Sequence, residues 1–312
     1  MVTTFDTFLE EHPLYRSAYE NLLANSRLLS TSAQLVYELH GDALGPVAED
    51  VLSFVHHSYP STYMDEYISR VNQMAELQRR FDVNPGLATL GDAGAVDSES
   101  YCLALLLSIV LTNHRFEMMD ALMRFLRELP GSRGNILSIG SGAGYELKLM
   151  AELLPDWTID SYDTDANMQA KAKQLLNFFH VSKPLNFDAK FPLEAPTPEV
   201  IKRYDAAVLC EVLEHLPDPA CTLQTLRECL KNDGKMFITM AINIAQEDHV
   251  FWYPDVESCR RQVRDCGLEV EYEWLAPHSI RFLPANREAS FTKGNYVAVV
   301  HKRSDLTSNM SC

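Results

Sequence analysis

The chain has 312 residues, of which 46% are hydrophobic and 22% are charged, an ordinary balance for a globular protein with a well-buried core. Its 27 Lys and Arg against 43 Asp and Glu give a net charge of -16. Such a surface repels phosphate backbones, which argues against nucleic acid and favours a small-molecule partner, unless the acidity serves only solubility. The seven cysteines include no C-x-x-C pair. We find no secretory signal and no apolar run long enough to span a bilayer. These features predict a reduced, cytoplasmic protein without membrane contact.

The spacing of apolar residues predicts an all-helical region at the start of the chain. A Gly- and Pro-rich loop at 84–94 separates two of its helices, and Pro130-Gly-Ser-Arg-Gly134 ends the region. The predicted helices are 3–24, 28–40, 45–57, 61–82 and 98–128.

After Gly134, short apolar runs alternate with helical segments, which is typical of a parallel α/β sheet. This change divides the chain into a helical domain at 1–130, an α/β domain at 131–303 and a loose polar tail at 304–312. The predicted strands are 136–139, 158–162, 184–187, 206–209 and 235–240, followed by an antiparallel pair at 268–275 and 296–301.

A glycine-rich turn follows the first of these strands, in Ile136-Leu-Ser-Ile-Gly140-Ser141-Gly142-Ala-Gly144-Tyr145. A turn without Cβ atoms lets the backbone approach a ligand closely, although a purely structural turn stays an alternative. Tyr145 stands where the dinucleotide fingerprint G-x-G-x-x-G needs its third glycine, and this disfavours a nicotinamide cofactor.

Short polar pairs follow the next three strands, where ligands of open α/β sheets bind. The first carboxylate can accept both ribose hydroxyls, and the second can accept an adenine amine. The alternatives are a helix N-cap, which Asp165 would serve better, and a solvated loop acid. The pairs are Asp163-Thr164, Asp188-Ala189 and Cys210-Glu211.

Together these segments resemble the class I S-adenosylmethionine-dependent methyltransferases over residues 136–240. The resemblance implies a seven-stranded, mostly parallel sheet of order 3-2-1-4-5-7-6 behind an all-helical N-terminal domain, with S-adenosylmethionine held by the glycine turn and the polar pairs. Ser138 departs from the pattern, since an acid usually stands there; the carbonyls of Gly140 and Cys210 could hold the methionine ammonium instead. The matching segments are Ile136–Gly144, Tyr162–Asp165, Asp188-Ala189, the D-x-x-x-x-x-E-V-L-E-H signature in Tyr204–Pro219, and Leu230–Met236.

Two histidines are the catalytic candidates, because a base is needed only when the methyl acceptor must lose a proton. His215 closes the signature, and packing or capping is its alternative role. His249 lies in the polar and aromatic loop 241–253, where it could be a base, a metal ligand or an incidental surface residue. A subset of the family that methylates carbon next to a carbonyl resembles this segment and uses a His-bound iron, for which His278 could be a second ligand.

The resulting prediction is methyl transfer to a small-molecule acceptor, with the helical domain as lid and specificity element. Three alternatives remain open: C-methylation of a 2-oxo acid with iron, O- or N-methylation without metal, and non-catalytic binding of S-adenosylmethionine. The polar cluster Thr112–Glu117 could close over the cosubstrate or form interdomain hydrogen bonds. The resemblance also allows a homodimer formed through the helical domain, although no exposed heptad indicates one.

Overall fold

The computed structural model describes residues 4–83, 97–188, 191, 195–277 and 293–303. The first part of the chain is helical, as the sequence predicts. Its helices are α1 Phe5–Glu11, α2 Pro13–Asn25, α3 Arg27–His40, α4 Leu44–Ser58, α5 Tyr63–Val83, α6 Ser98–Leu111 and α7 Asn113–Glu128.

Two helices that the periodicity predicts as continuous are broken, and the prediction is wrong there. The segment 3–24 is interrupted at His12, because the residue before Pro13 is disfavoured in the helical conformation. The segment 98–128 is interrupted at Thr112, whose backbone is extended and whose hydroxyl donates to the Ser108 carbonyl at 2.7 Å. The axes of α6 and α7 therefore bend by 83°.

No single helix in the described part of the chain is long and apolar enough to cross a bilayer; only α6 and α7 taken together satisfy that length and composition, despite the bend between them.

The second part forms a seven-stranded sheet with the order β3-β2-β1-β4-β5-β7-β6, which confirms the predicted topology. β1 to β5 are parallel and β7 is antiparallel to both its neighbours. The strands are β1 Asn135–Ile139, β2 Thr158–Tyr162, β3 Asn186–Asp188, β4 Tyr204–Leu209, β5 Leu230–Ile242, β6 Leu268–Pro277 and β7 Gly294–Lys302. The helices between them are α8 Tyr145–Leu153, α9 Ala166–Phe178, α10 Pro219–Cys229 and α11 Val256–Asp265.

β5 begins five residues earlier than the predicted strand, which starts at 235. Gly234 therefore lies inside the strand. A Cβ there would lie only 3.0 Å from the Tyr204 carbonyl oxygen, where the register between β4 and β5 shifts. A residue without a Cβ allows β4 and β5 to approach closely at this point.

Alternate residues of the strands enter two hydrophobic cores, one on each face of the sheet. Ile136 and Phe237 belong to the core that also contains the buried residues of α1–α9, whereas Leu137 and Met236 belong to the core under α10 and α11. The helical part and one face of the sheet thus share a single core, which fixes α6 and α7 beside the carboxyl edge of the sheet.

Candidate active site

A cleft of about 770 Å³ lies at the carboxyl edge of the sheet, within the size range of small-molecule sites. The ends of β1, β2 and β4 form its floor, and the loop after β5 forms one wall. The other wall comes from the helical part, through Asp97, Ser98, Tyr101, Leu105, Ile109 and Arg115.

The glycine turn contributes to the cleft with two of its four predicted residues, Gly140 and Gly142. Gly144 caps α8 with a φ of 87°, and a Cβ there would lie 2.6 Å from the Cα of Ala172 in α9. This glycine therefore serves the packing of α9 rather than contact with a ligand. Ser141 is buried away from the cleft.

Asp163 lies at the end of β2 and joins the glycine turn to the next loop. Its Oδ2 accepts a hydrogen bond from the Gly142 amide at 3.1 Å, and its Oδ1 accepts one from the Asp165 amide at 2.9 Å. Burial raises the pKa of the Asp163 carboxyl above its ordinary value. Each oxygen retains a lone pair, and Thr164 lines the cleft beside it. Asp165 caps α9, as the sequence predicts.

Of the predicted adenine-binding pair, the structure describes only Asp188, and this residue does not line the cleft. Asp188 is the last residue of β3 and is exposed. Its carbonyl accepts from the Asp163 amide at 3.3 Å. Ala189 and the predicted second metal ligand His278 lie outside the described residues.

The turn after β4 carries a buried charge pair. Cys210 and Glu211 both line the cleft, and Glu211 has a left-handed φ of 51°, which is uncommon for a residue with a Cβ. Its carboxylate pairs with the buried guanidinium of Arg115 from α7 and accepts from the Asn295 amide at 2.7 Å. Its own amide donates to the Thr239 hydroxyl at 2.7 Å. The turn is thereby fixed from three sides.

The two candidate histidines lie against each other at the far end of the cleft, with ring centroids 4.8 Å apart. His249 Nδ1 lies 2.9 Å from the Ile244 carbonyl oxygen, so Nδ1 carries the proton and Nε2 keeps its lone pair. Burial, reinforced by the neighbouring His215, holds the pKa of His249 below its ordinary value. His215 Nδ1 lies 3.3 Å from Asp248 Oδ2 and 3.1 Å from the Asp248 carbonyl oxygen.

Glu214, on the 3-10 turn Leu213–His215, is a second acid close to these rings. Its side chain is fully buried, and neither carboxylate oxygen has a hydrogen-bond partner within the part of the chain that the structure describes. Burial, with Asp248 as the nearby charge, raises the pKa of Glu214 to about 8. The three ligand atoms of Glu214, His215 and His249 lie within 4.8 Å of one another.

Three residues in or beside the cleft were not predicted as site residues. Arg115 belongs to the Thr112–Glu117 polar cluster, but the direction in which its side chain points depends on the break between α6 and α7. Glu146 lines the cleft from the first turn of α8, and burial raises the pKa of its carboxyl. Glu214 stands in the E-V-L-E-H signature, so its residue type was visible in the sequence while its burial was not.

Solved structures with a similar fold include three bacterial chains. One is a methyltransferase from Aquifex aeolicus that depends on S-adenosylmethionine, at 13% identity over 59% of this chain and 88% of the other, with a TM-score of 0.43. Another is the 1,6-didemethyltoxoflavin-N1-methyltransferase of Burkholderia thailandensis, with 1,6-didemethyltoxoflavin and S-adenosylhomocysteine bound, at 15% identity over 68% and 93% of the chains and a TM-score of 0.46. The third is the YcgJ protein of Bacillus subtilis, at 13% identity over 60% and 99% and a TM-score of 0.46.

No curated protein matches the sequence at a significant level. A family model described as a methyltransferase domain matches residues 111–273, just over half of the chain. The matched region contains the glycine turn, Asp163, the turn after β4 and both histidines. The chain therefore belongs to the methyltransferase-domain family, as a class I methyltransferase that uses S-adenosylmethionine.

Proposed function

We propose that this methyltransferase transfers the methyl group of S-adenosylmethionine to a small-molecule acceptor that lies between α6 and the loop after β5. The observation that carries the proposal is that one cleft contains both the glycine turn with Asp163 and the pair of histidines. A methyl donor held at the first end and an acceptor held at the second would meet inside the same cleft, as an in-line displacement requires.

The lining fits the cosubstrate. Gly140 and Gly142 expose backbone at the cleft, and Asp163 has lone pairs available for the ribose hydroxyls. At the methionine end, Ser138 provides no charge, but the carboxylates of Glu146 and Glu211 line the cleft there and would attract the ammonium group. Arg115 also lines this end of the cleft, but its guanidinium is already paired with Glu211.

Size and charge favour a small acceptor. The cleft volume of about 770 Å³ accommodates a nucleoside-sized cosubstrate and a metabolite-sized acceptor. Among the described residues, its walls carry six acidic side chains against one arginine that is already paired with Glu211. A polyanion would be repelled by these walls, so a neutral or cationic acceptor is favoured. The acids are Asp97, Glu146, Asp163, Asp165, Glu211 and Asp248.

His249 is the residue we assign to the acceptor's proton. A low pKa keeps its ring neutral at physiological pH, and the Nδ1 contact with Ile244 leaves Nε2 as a proton acceptor. His215, held by Asp248, would orient the neighbouring ring. The base would remove the proton of a hydroxyl, amine or enol before the methyl group leaves the sulfonium sulfur.

A more specific version of the proposal is C-methylation next to the carbonyl of a 2-oxo acid, with an iron ion that His249 helps to hold. It is supported by the grouping of two imidazoles and a carboxylate at one end of the cleft. O- or N-methylation would use the same histidine as a base and would need no metal, whereas a non-catalytic protein would bind the cosubstrate and transfer nothing.

Two measurements test the function. Isothermal titration with S-adenosylhomocysteine should give saturable one-site binding, and Asp163→Ala should weaken it by about 10- to 150-fold, since hydrogen bonds to a charged group contribute about 1.5–3 kcal/mol. Asp233→Ala, at an exposed position in β5, is the matched control and should bind normally. With a methyl-labelled cosubstrate and cell extract, label should enter the low-mass fraction; label confined to protein or nucleic acid would contradict the proposal.

A further inference from the structure

The histidine end of the cleft is built from two segments that are tied together. The carbonyl oxygen of Glu214 accepts hydrogen bonds from the amides of Val250 and Phe251, both at 2.9 Å. His215 follows Glu214 directly, and His249 precedes Val250. The three side chains are therefore placed by backbone hydrogen bonds rather than by a mobile loop, which is the support that a metal-binding site requires.

The carboxylate of Glu214 gives the strongest indication of a ligand. It has no exposure and no hydrogen-bond partner among the described residues, whereas buried charges in proteins are normally paired or coordinate metals. The nearby guanidinium of Arg115 is committed to Glu211.

The two imidazoles offer the complementary ligands. His249 Nδ1 donates to the Ile244 carbonyl, and His215 Nδ1 is held at Asp248. A metal-bound histidine almost always has its second nitrogen fixed in this way by a carbonyl or a carboxylate. Both rings consequently keep Nε2 available as a ligand.

We propose that Glu214, His215 and His249 hold a divalent first-row transition-metal ion at the acceptor end of the cleft. Two histidines and one carboxylate with open positions form the donor set of non-haem iron(II) sites, and the same set binds manganese, cobalt and zinc. Ligands about 2.1 Å from one ion lie roughly 3.0–3.4 Å apart. The candidate ligand atoms lie within 4.8 Å of one another, so the side chains would draw closer together around a bound ion.

This inference rests on the proposed function for its chemical role. An acceptor oxygen at an open position would lose its proton more readily, because a Lewis acid stabilises the oxyanion. The proton would pass to solvent, the S–CH3 bond would break as the bond from methyl to oxygen or to the adjacent carbon forms, and neutral S-adenosylhomocysteine would leave. His249 would then be a metal ligand instead of the base.

Direct metal binding tests the site independently of catalysis. Full-length protein is stripped with a chelator, dialysed and titrated with Mn²⁺, Co²⁺ and Zn²⁺, and with Fe²⁺ without oxygen. We expect one equivalent to bind, a visible absorption band for the Co²⁺ form, and at least tenfold weaker binding in His249→Ala and in Glu214→Gln. His301→Ala is the matched control, because His301 lies on β7 opposite Lys235, away from the carboxyl edge.

Titration of the same preparations with S-adenosylhomocysteine separates the two ideas. A protein that binds S-adenosylhomocysteine but none of the four ions, or that binds them equally well in both variants, overturns the metal site and leaves the proposed function standing. Loss of S-adenosylhomocysteine binding in the unmodified protein would instead remove the proposed function. Thermal unfolding checks the site in a folded variant. Metal should raise the unfolding temperature of the unmodified protein and should leave that of Glu214→Gln unchanged.

Discussion

The ion pair between Arg115 and Glu211 joins the helical part to the sheet at the cleft, and a double-mutant cycle measures what it contributes. Its side chains are only 6% and 15% exposed. The cycle comprises Arg115→Met, Glu211→Gln and the double variant. Met keeps most of the aliphatic volume of Arg, and Gln keeps an acceptor for the Asn295 amide that now bonds Glu211 at 2.7 Å.

Each single variant leaves one buried charge without its partner, which typically costs about 3–5 kcal/mol of unfolding free energy. The lower value applies here, since Glu211 retains Asn295 and faces the cleft. The two single losses would then total roughly 6 kcal/mol. The double variant buries no unpaired charge and should lose only about 2–3 kcal/mol, which leaves a coupling free energy of about 3 kcal/mol.

Urea unfolding followed by circular dichroism provides the four free energies. The exposed pair Arg16–Glu20, at 49% and 66% side-chain exposure, is the matched control cycle, for which about 0.3–0.5 kcal/mol of coupling is expected. The assignment of a buried, mutually dependent pair would be refuted by two results together. Each single variant would lose less than about 1 kcal/mol of unfolding free energy, and the two losses would simply add in the double variant.

Two further predictions concern the cosubstrate end. Gly144→Ala should destabilise more than Gly131→Ala, although both positions have φ above 80° and carry about 1 kcal/mol of strain. A Cβ at Gly144 would lie 2.6 Å from the Cα of Ala172, which adds about 1–3 kcal/mol, whereas at Gly131 the nearest atom is the Arg133 carbonyl oxygen at an ordinary contact distance of 3.8 Å. Equal shifts in thermal unfolding would contradict this. Because burial raises the pKa of Asp163, S-adenosylhomocysteine affinity should fall as the pH drops through that raised value. Titrations from pH 8 to pH 4.5 should lose this dependence in Asp163→Asn.

The sequence predicted the sheet and its functional edge because both follow from local rules. Short apolar runs between amphipathic helices predicted the parallel strands, and the carboxyl ends of such strands necessarily share one edge. Gly140, Asp163 and Glu211 accordingly meet in one cleft. Asp188, the last residue of β3, is exposed and does not line this cleft.

What the sequence could not provide depends on tertiary packing. The helix α6 buries apolar residues on most of its surface, so the apolar spacing continues into α7 and conceals the break at Thr112. That bend brings Arg115 to the sheet. Likewise, the E-V-L-E-H signature shows two glutamates of equal appearance. Only the fold reveals that Glu211 has a cationic partner, whereas the buried carboxylate of Glu214 has none within the part of the chain that the structure describes.

The five residues from Glu211 to His215 connect all parts of the cleft, and their order explains the division of tasks. The left-handed backbone at Glu211 turns its carboxylate towards α7, while the following 3-10 turn directs Glu214 to the loop after β5. One acid is paired with Arg115, whereas the carboxyl of Glu214 has no cationic partner among the described residues. A cation beside the histidines would pair with it at the place where an acceptor must lose a proton, and the same short segment would then serve the helical wall, the cosubstrate and the acceptor.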